Sequence, residues 1–171
     1  MIPQIRKILY ATDLTKNSAY AFYYAIDVAK RRDAKITILH VVEPLPPLAR
    51  FYGSLDEEKE VYHREKTADL DLIRKRLEEI CQRVEKGGTA CLMLVSEILV
   101  RVGHPVEEIL KAAEEKECDV LILGSHGKGF LKQTFLGSVS RKVLDRCRKP
   151  VFIIPLPAEG VKMDLDEVSQ T

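Results

Sequence analysis

The segment Asp119–Gly124, with the sequence DVLILG, is apolar from its second to its fifth residue and leads into a glycine-rich stretch. A short run that is apolar throughout, rather than at every second position, is typical of a strand covered on both faces of a parallel sheet. Similar short apolar and β-branched runs lie elsewhere in the chain. They are Lys7–Thr12, Lys35–Val42, Cys91–Val102 and Pro150–Pro155. We therefore predict five strands.

The segments between these strands have helical periodicity, with apolar residues three or four positions apart. They are Ser18–Arg31, a long charged helix whose apolar face runs over Leu70–Val84, Val106–Ala113 and Ser138–Cys147. Because strands and helices alternate strictly, we expect right-handed crossovers and a parallel sheet with helices on both faces. The predicted fold class is α/β, a doubly wound, Rossmann-like parallel sheet.

A length of 171 residues predicts one domain with a core large enough to fold alone. We place that domain at residues 1–157 and a polar C-terminal tail at residues 158–171, with an irregular insertion at Leu45–Leu55. Lys and Arg total 27 and Asp and Glu total 26, so the net charge is +1. This balance gives no overall field to recruit nucleic acid or an acidic membrane, and we expect neither as a partner.

The cysteines and the N-terminal sequence both predict a cytoplasmic location. Cys81, Cys91, Cys118 and Cys147 are widely separated, with no C-x-x-C pair and no histidine at zinc spacing, so we predict buried, reduced thiols. The first residues carry too short an apolar run for a signal peptide. No window reaches the roughly 18–20 apolar residues that a membrane-spanning helix needs.

Ligands of open parallel sheets bind beyond the carboxyl ends of the strands, where the strand order reverses. The first strand leads into Ala11, Thr12 and Asp13 without a glycine, so the dinucleotide fingerprint G-x-G-x-x-G is absent. The P-loop is absent too, because Gly127 and Lys128 are followed by glycine rather than Ser or Thr. Both common nucleotide motifs are therefore excluded.

The stretch after the fourth strand is the most glycine-dense part of the chain. Gly124 and Gly127 let a ligand approach the backbone closely. Gly137-Ser138 then places backbone N–H groups at a helix start, where the partial positive charge favours phosphate. Lys128 adds a mobile cation, and Ser140 adds a hydroxyl donor beside that of Ser138. This combination indicates an anion site.

Each residue also has a purely structural interpretation. Glycines after a strand often only turn the chain, and Ser138 is then a helix cap with Ser140 solvated. Asp13 then only organises the turn into the first helix. Among the histidines, we expect His126 to be functional, chiefly through its backbone, and His40 to be a hydrogen-bonded core residue. We expect His63 to be solvated and His104 to lie in a turn before Pro105.

The spacing Gly124-x2-Gly127-x9-Gly137-Ser138 resembles the G-2x-G-9x-G-[ST] signature of the ATP-binding branch of the universal stress protein family. Other segments are similar to that family's first, second and last strands, namely Lys7–Asp13, Ile38–Val42 and Pro150–Pro155. The resemblance covers nearly the whole chain, from Lys7 to Pro155.

The resemblance implies strand order 3-2-1-4-5, with ATP between strands one and four, accompanied by Mg²⁺ or Mn²⁺. The implied adenine and ribose contacts are Ala11, Thr12, Asp13 and Val41. The implied ribose and phosphate contacts are Gly124, His126, Gly127 and Lys128. The residues implied to close on the triphosphate are Gly137, Ser138, Val139 and Ser140. One departure is Ala11, where many ATP-binding relatives carry proline; we expect little effect, because alanine keeps the site small and apolar.

The chemistry of the glycine region favours binding over catalysis. Phosphoryl transfer needs a positioned base and usually metal-binding carboxylates, and no acidic pair lies near this region. We assign no catalytic residue and no protein ligand to a metal. The predicted function is an ATP-binding regulatory switch with slow or no hydrolysis. The alternatives are a slow ATPase or a nucleotidyl or phosphoryl transferase acting with a partner, and an interaction module with a vestigial loop.

The last strand also predicts a homodimer. It ends the sheet in this topology and is apolar on both faces, so a soluble protein should cover it. The pairing residues are Val151, Phe152, Ile153 and Ile154. We also expect ATP to order the loop at residues 128–135, and with it the insertion at Leu45–Leu55, because each ordered backbone residue costs about 1–2 kcal/mol that charge-assisted hydrogen bonds can offset. Protein partners, which the sequence does not identify, would recognise that ordered surface.

Overall fold

A computed structural model of the protein describes residues 2–44, 55–84, 89–126 and 136–155. Several predictions concern segments outside these ranges. They are the insertion up to residue 54, the loop at residues 128–135, the site residues Gly127 and Lys128, and the tail at residues 158–171.

The described residues form five strands and five helices in chain order. The strands are β1 (Lys7–Thr12), β2 (Lys35–Val42), β3 (Val95–Val102), β4 (Val120–Gly124) and β5 (Val151–Ile154). The helices are α1 (Lys16–Arg32), α2 (Leu55–Val84), α3 (Thr89–Leu92), α4 (Pro105–Glu115) and α5 (Ser138–Arg146). β1 and β2 have the predicted bounds.

The sheet is parallel throughout and has the order β3-β2-β1-β4-β5, which confirms the predicted fold class. Successive strand residues point to opposite faces of the sheet, so each face has its own apolar core and its own covering helices. Ile8, Ile36 and Ile38 pack with apolar residues of α1 and α2 in one core. Leu9, Leu39 and Leu121 pack with α4 and α5 in the other. The carboxyl ends of β1 and β4 lie side by side between these layers.

Two element bounds differ from the prediction by more than two residues. The long charged helix begins at Leu55, well before its regular apolar face. β3 begins at Val95 rather than Cys91, because the chain first forms the short helix α3. That turn carries the Cys91 side chain into the core beside α2, where no exposed surface remains on it. The apolar run that begins at Cys91 did not show which of its residues form a helical turn and which form the strand.

The prediction that all four cysteines are reduced is wrong for one pair. Cys81 near the end of α2 and Cys91 on α3 form a disulfide, with their Cα atoms 5.3 Å apart. This separation lies within the usual range for a disulfide, and both side chains are fully buried. Cys118 and Cys147 are unpaired, as predicted. The disulfide joins the long helix to the segment that leads into the edge strand β3.

No helix within the described ranges is both long enough and apolar enough to cross a membrane.

Candidate functional site

A cleft of about 550 Å³ opens at the carboxyl ends of β1 and β4. This position follows from the topology, since the chain leaves β1 toward β2 and β3 on one side, whereas β4 continues toward β5 on the other. Every predicted site residue that the structure describes lines this cleft. They are Ala11, Thr12, Asp13, Val41, Gly124, His126, Gly137, Ser138, Val139 and Ser140. The volume is typical of small-molecule sites.

The turn between β1 and α1 forms one wall of the cleft and is organised by its own side chains. Asp13 Oδ1 accepts hydrogen bonds from the backbone N–H of Thr15 at 3.0 Å and from its hydroxyl at 2.6 Å. Thr15 in turn caps α1 by accepting from the Ser18 N–H. Asp13 therefore has the turn-organising role given as its structural interpretation, while its side chain also lines the cleft.

The same turn contains a left-handed residue that is not glycine. Leu14 has a φ of 66°, a conformation that costs an L-residue roughly 1–3 kcal/mol. Its N–H donates to Thr12 Oγ1 at 3.1 Å, and its carbonyl accepts from the guanidinium of Arg76 on α2. The Thr12 carbonyl contacts Nδ1 of His40 at 2.8 Å. Side chains from β2 and α2 thus contact the Thr12 and Leu14 carbonyls, which lie on either side of Asp13.

The residues that follow β4 form the opposite wall and are tied to α5. Ser140 is buried, and its hydroxyl donates to the Gly124 carbonyl at 2.8 Å. The N–H of Gly137 donates to the Ser125 carbonyl at 2.7 Å. The interpretation that leaves Ser140 solvated is therefore wrong. The serine fixes the start of α5 against the end of β4, so both ends of the glycine-rich segment are held in place.

Asn17, on the first turn of α1, connects that helix to the same wall. Its side-chain amide is 7% exposed and donates to the His126 carbonyl. A Cβ atom added at Gly124 would lie 3.2 Å from Nδ2 of this amide. Glycine is therefore favoured at residue 124 by close packing rather than by a positive φ. Asn17 Oδ1 is buried and has no hydrogen-bond partner among the described residues.

The start of α5 carries a positive potential toward the cleft. Gly137 is the residue that precedes this helix, and no described side chain caps the first turn. The first backbone N–H groups and the helix dipole therefore favour an anion there. Arg141 and Lys142 also line the cleft and add two cationic side chains. The helix start that is predicted to bind an anion therefore lies at the cleft, with Arg141 and Lys142 beside it.

Acidic side chains are sparse around the cleft. Among the lining residues that the structure describes, the carboxylates are those of Asp13 and Glu43. The described residues contain no group of three His, Cys, Asp or Glu side chains suited to holding a metal ion.

The histidines have different environments. His40 is 4% exposed and hydrogen-bonded, as predicted, but it also lines the cleft. The His126 ring contacts Ser125 Oγ at 2.9 Å, and its carbonyl accepts from Asn17. His63 is exposed on α2, as predicted. His104 precedes α4 without a side-chain cap to described residues.

Sequence reasoning missed several residues that shape the cleft. Arg141 and Lys142 follow Ser138 by three and four positions, so the helical period alone places them on the first turn beside it. Asn17 and Arg76 gave no such signal, because each reaches a backbone carbonyl far away in the chain. Tyr10 is also part of this support: its hydroxyl donates to the Ser18 carbonyl at 2.6 Å, and burial raises its pKa.

Comparison with known proteins identifies the family. The sequence profile of the universal stress protein family matches residues 4–155. The chain belongs to this family. It is 31% identical over 157 residues to the universal stress protein MJ0577 of Methanocaldococcus jannaschii, covering 87% of this chain and 94% of the relative. It is 32% identical over 153 residues to the universal stress protein YxiE of Bacillus subtilis, covering 86% and 97% of the two chains.

Solved structures of universal stress proteins have the same fold. The structure of MJ0577 aligns with a TM-score of 0.71 at 26% identity and covers 91% of this chain and 99% of its own. A universal stress protein in complex with cAMP aligns with a TM-score of 0.57 at 22% identity and covers 89% and 98%. The family profile extends from before the first strand to the end of the last, so the cleft lies within the part of the chain that matches the family.

Proposed function

We propose that this universal stress protein binds ATP in the cleft between β1 and β4 and acts as a regulatory switch in a stress response. The observation that carries the proposal is the cleft itself, whose lining combines apolar residues of β1 and β2, such as Ala11 and Val41, with the positive start of α5. An adenine nucleotide has a matching combination, with a flat apolar base at one end and phosphates at the other. The family member in complex with cAMP supports an adenine nucleotide as the ligand class.

The charges around the cleft favour a switch over an efficient enzyme. Rapid phosphoryl transfer needs a base or water-orienting residue together with metal-bound carboxylates near the terminal phosphates. Of the lining carboxylates that the structure describes, Asp13 is engaged with Thr15. We therefore propose slow or no hydrolysis, with Mg²⁺ or Mn²⁺ held through the phosphates. The alternative, a slow ATPase or transferase, requires a catalytic group from a partner.

A charge substitution at the start of α5 tests the proposal. Ser138→Glu places a carboxylate at the first helical position, where it interacts favourably with the helix dipole. The same carboxylate occupies the position proposed for the phosphate and repels the phosphate charge. We expect the variant to be at least as stable as the parent and to bind ATP more than about tenfold more weakly, a loss of about 1.4 kcal/mol. Ser138→Gln is the matched control, since it has nearly the same size without the charge.

Calorimetric titration with ATP, AMP and cAMP measures this effect. We expect the two variants to differ most for ATP and least for cAMP, because the added carboxylate repels the ligand in proportion to its phosphate charge. Equal ATP affinities for Ser138→Glu and Ser138→Gln would contradict the assignment of the phosphate end. Phosphate release faster than about one per second would favour the enzyme alternative, since typical catalytic rates begin there.

We also propose that the protein is a homodimer that pairs through β5. This strand forms one edge of the sheet, and Phe152 on it is 39% exposed. An exposed apolar edge strand is the kind of surface that a second copy covers by pairing across a two-fold axis. Sedimentation at micromolar concentration tests this, and a single 19.4 kDa species would contradict it. The Phe152→Lys variant should weaken the dimer. The predicted cytoplasmic location loses its argument from the cysteines, because Cys81 and Cys91 form a disulfide.

A further inference from the structure

The His40 side chain lies between two hydrogen-bond acceptors. Its Nδ1 is 2.8 Å from the carbonyl oxygen of Thr12, at the end of β1. Its Nε2 is 3.1 Å from Oδ2 of Asp69, on α2. The ring is 4% exposed, so water does not compete for either nitrogen. His40 therefore joins the wall of the cleft to the long helix across one face of the sheet.

The acceptors on both sides of the ring determine how many protons it needs. A carbonyl oxygen accepts hydrogen bonds and never donates them, and an ionised carboxylate does the same. A neutral imidazole has one N–H, so it satisfies one of these acceptors and turns a lone pair toward the other. An imidazolium has two N–H groups and satisfies both. The Asp69 side chain is 27% exposed, so water solvates its ionised form.

We propose that His40 is a positioning residue that carries both ring protons in the folded protein, as an imidazolium paired with the Asp69 carboxylate. In this state it fixes the Thr12 carbonyl and with it the turn that carries Asp13 into the cleft. Deprotonation turns a lone pair toward one of the two acceptors and leaves the Asp69 charge without its counter-ion. Both changes loosen the turn.

The strain in the same turn explains why this support matters. Leu14 is held in the left-handed region, and its carbonyl is fixed by Arg76, which lies two helical turns after Asp69 on α2. Two cationic side chains thus hold the two carbonyls on either side of Asp13. Since α2 provides Arg76 directly and Asp69 through His40, the position of this helix and the geometry of the turn are coupled.

Other charged groups lie near Thr12, His40 and Asp69, and none of them takes the place of these three residues. On the elements packed around His40, Arg76 is engaged with the Leu14 carbonyl and Asp13 with Thr15. The other ionisable groups on the adjacent strands, around the cleft and one turn before Asp69 on α2 are Lys7, Tyr10, Glu43, Glu65, Lys66, Glu97, Arg101, His126, Arg141 and Lys142. Of these, Glu97 pairs with Lys116, and Arg101 with Glu108 and Glu115, on the neighbouring strand β3.

The proposal predicts how stability changes with pH. Under this proposal the folded chain keeps a proton on His40 that the unfolded chain releases, so stability falls as the pH rises above the ordinary histidine value. That value is about 6.5, so the experiment covers about pH 6 to 8.5. If the ring holds one proton more in the folded state, the folding equilibrium constant falls by up to about tenfold per pH unit there.

Asp69→Asn is the decisive variant because it preserves the shape and removes the need for charge. The new amide donates to Nε2, while Nδ1–H still donates to the Thr12 carbonyl, so a neutral ring satisfies every partner. We expect Asp69→Asn to fold and to lose the pH dependence that the parent shows between about pH 6 and 8.5. His63→Gln, on an exposed residue of the same helix, should keep it.

Nitrogen-15 NMR of the His40 ring in the unliganded parent gives a direct measurement. Two protonated ring nitrogens at about pH 7.5, where an ordinary histidine has lost its second ring proton, support the proposal. A ring nitrogen without a proton at that pH, or parallel stability profiles for the parent and Asp69→Asn, would overturn it. If Asp69→Asn does not fold, the NMR spectrum of the parent alone decides. Neither readout involves a nucleotide, so both stand even if ATP fails to bind.

The consequence for binding rests on the proposed function. If the turn contributes to the ATP site, the ratio of parent to Asp69→Asn affinity should fall severalfold from about pH 6 to 8.5. Titration of the phosphates affects both proteins equally and cancels in this ratio. A flat ratio together with two protonated nitrogens would limit His40 to stability and overturn its role in positioning the site.

Discussion

Gly124→Ala tests whether the close contact between the end of β4 and Asn17 controls the wall of the cleft. A Cβ at residue 124 would lie 3.2 Å from Asn17 Nδ2, 3.4 Å from its Cγ and 3.5 Å from the His126 carbonyl oxygen. The amide cannot easily move away, because it is 7% exposed and bonded to that carbonyl. The added methyl group therefore pushes on the residue that holds His126.

Two opposing effects determine the magnitude. Overpacking of a dense interior costs about 1–3 kcal/mol. Replacing glycine by alanine in an allowed conformation recovers about 0.4–1 kcal/mol by restricting the unfolded chain. Gly124→Ala should therefore lower the free energy of unfolding by about 1 kcal/mol. In an Asn17→Ala background the contact is absent, so the same change should be neutral or stabilising by about 0.4–1 kcal/mol.

Urea denaturation of the parent, the two single variants and the double variant completes a double-mutant cycle. Asn17→Ala alone should cost about 1 kcal/mol, because the His126 carbonyl loses its donor while a buried unpartnered oxygen is also removed. We expect a favourable coupling energy of about 1–3 kcal/mol in the double variant. A coupling below about 0.5 kcal/mol would refute the steric explanation, since separated, independent sites add to within that margin.

Three further predictions address stability. Ser140→Ala should cost about 1 kcal/mol through the lost bond to the Gly124 carbonyl, whereas Ala at exposed Ser138 should change the free energy of unfolding by less than about 0.5 kcal/mol; urea denaturation measures both. The Cys81–Cys91 disulfide, with a sequence separation of 10, should contribute about 2–3 kcal/mol, and titration of denatured, unreduced protein should find two thiols rather than four. Burial raises the pKa of the Cys118 thiol to about 11, so the thiol ionises at lower pH in the unfolded chain than in the folded one. The free energy of unfolding should therefore fall as the pH rises from about 9 to 11, by about 2–3 kcal/mol more than in Cys118→Val.

The sequence predicted the sheet well because its strands are local signals. Lys7–Thr12 and Lys35–Val42 are apolar runs with clear ends, and their bounds match the observed strands. β3 was less predictable, since the apolar run from Cys91 conceals a helical turn whose position is set by a contact with α2. Local patterns specify whether a segment is apolar; packing against a distant helix decides its conformation.

The lining of the cleft could also be predicted from the sequence. This lining comes from strand ends and from a helix start, and the resemblance to the family indicated which of these residues form the site. The described members of the predicted set all line the cleft. The supports behind that lining were not predictable. Asn17 reaches the His126 carbonyl 109 positions away, and Arg76 reaches the Leu14 carbonyl 62 positions away. No periodicity links such pairs, because their spacing depends on how two layers pack.

The strained turn at Leu14 shows how the two kinds of information combine. A left-handed, non-glycine residue persists only where its surroundings hold it, and the holding groups here come from β2 and α2 rather than from the turn. The long helix therefore has a role beyond covering the sheet: Asp69, acting through His40, and Arg76 shape the wall that carries Asp13. A partner or a modification that shifts α2 would alter this wall without touching the cleft. The proposed switch would need such a connection, because a ligand and a partner are coupled only if each binds one of the same two arrangements better than the other.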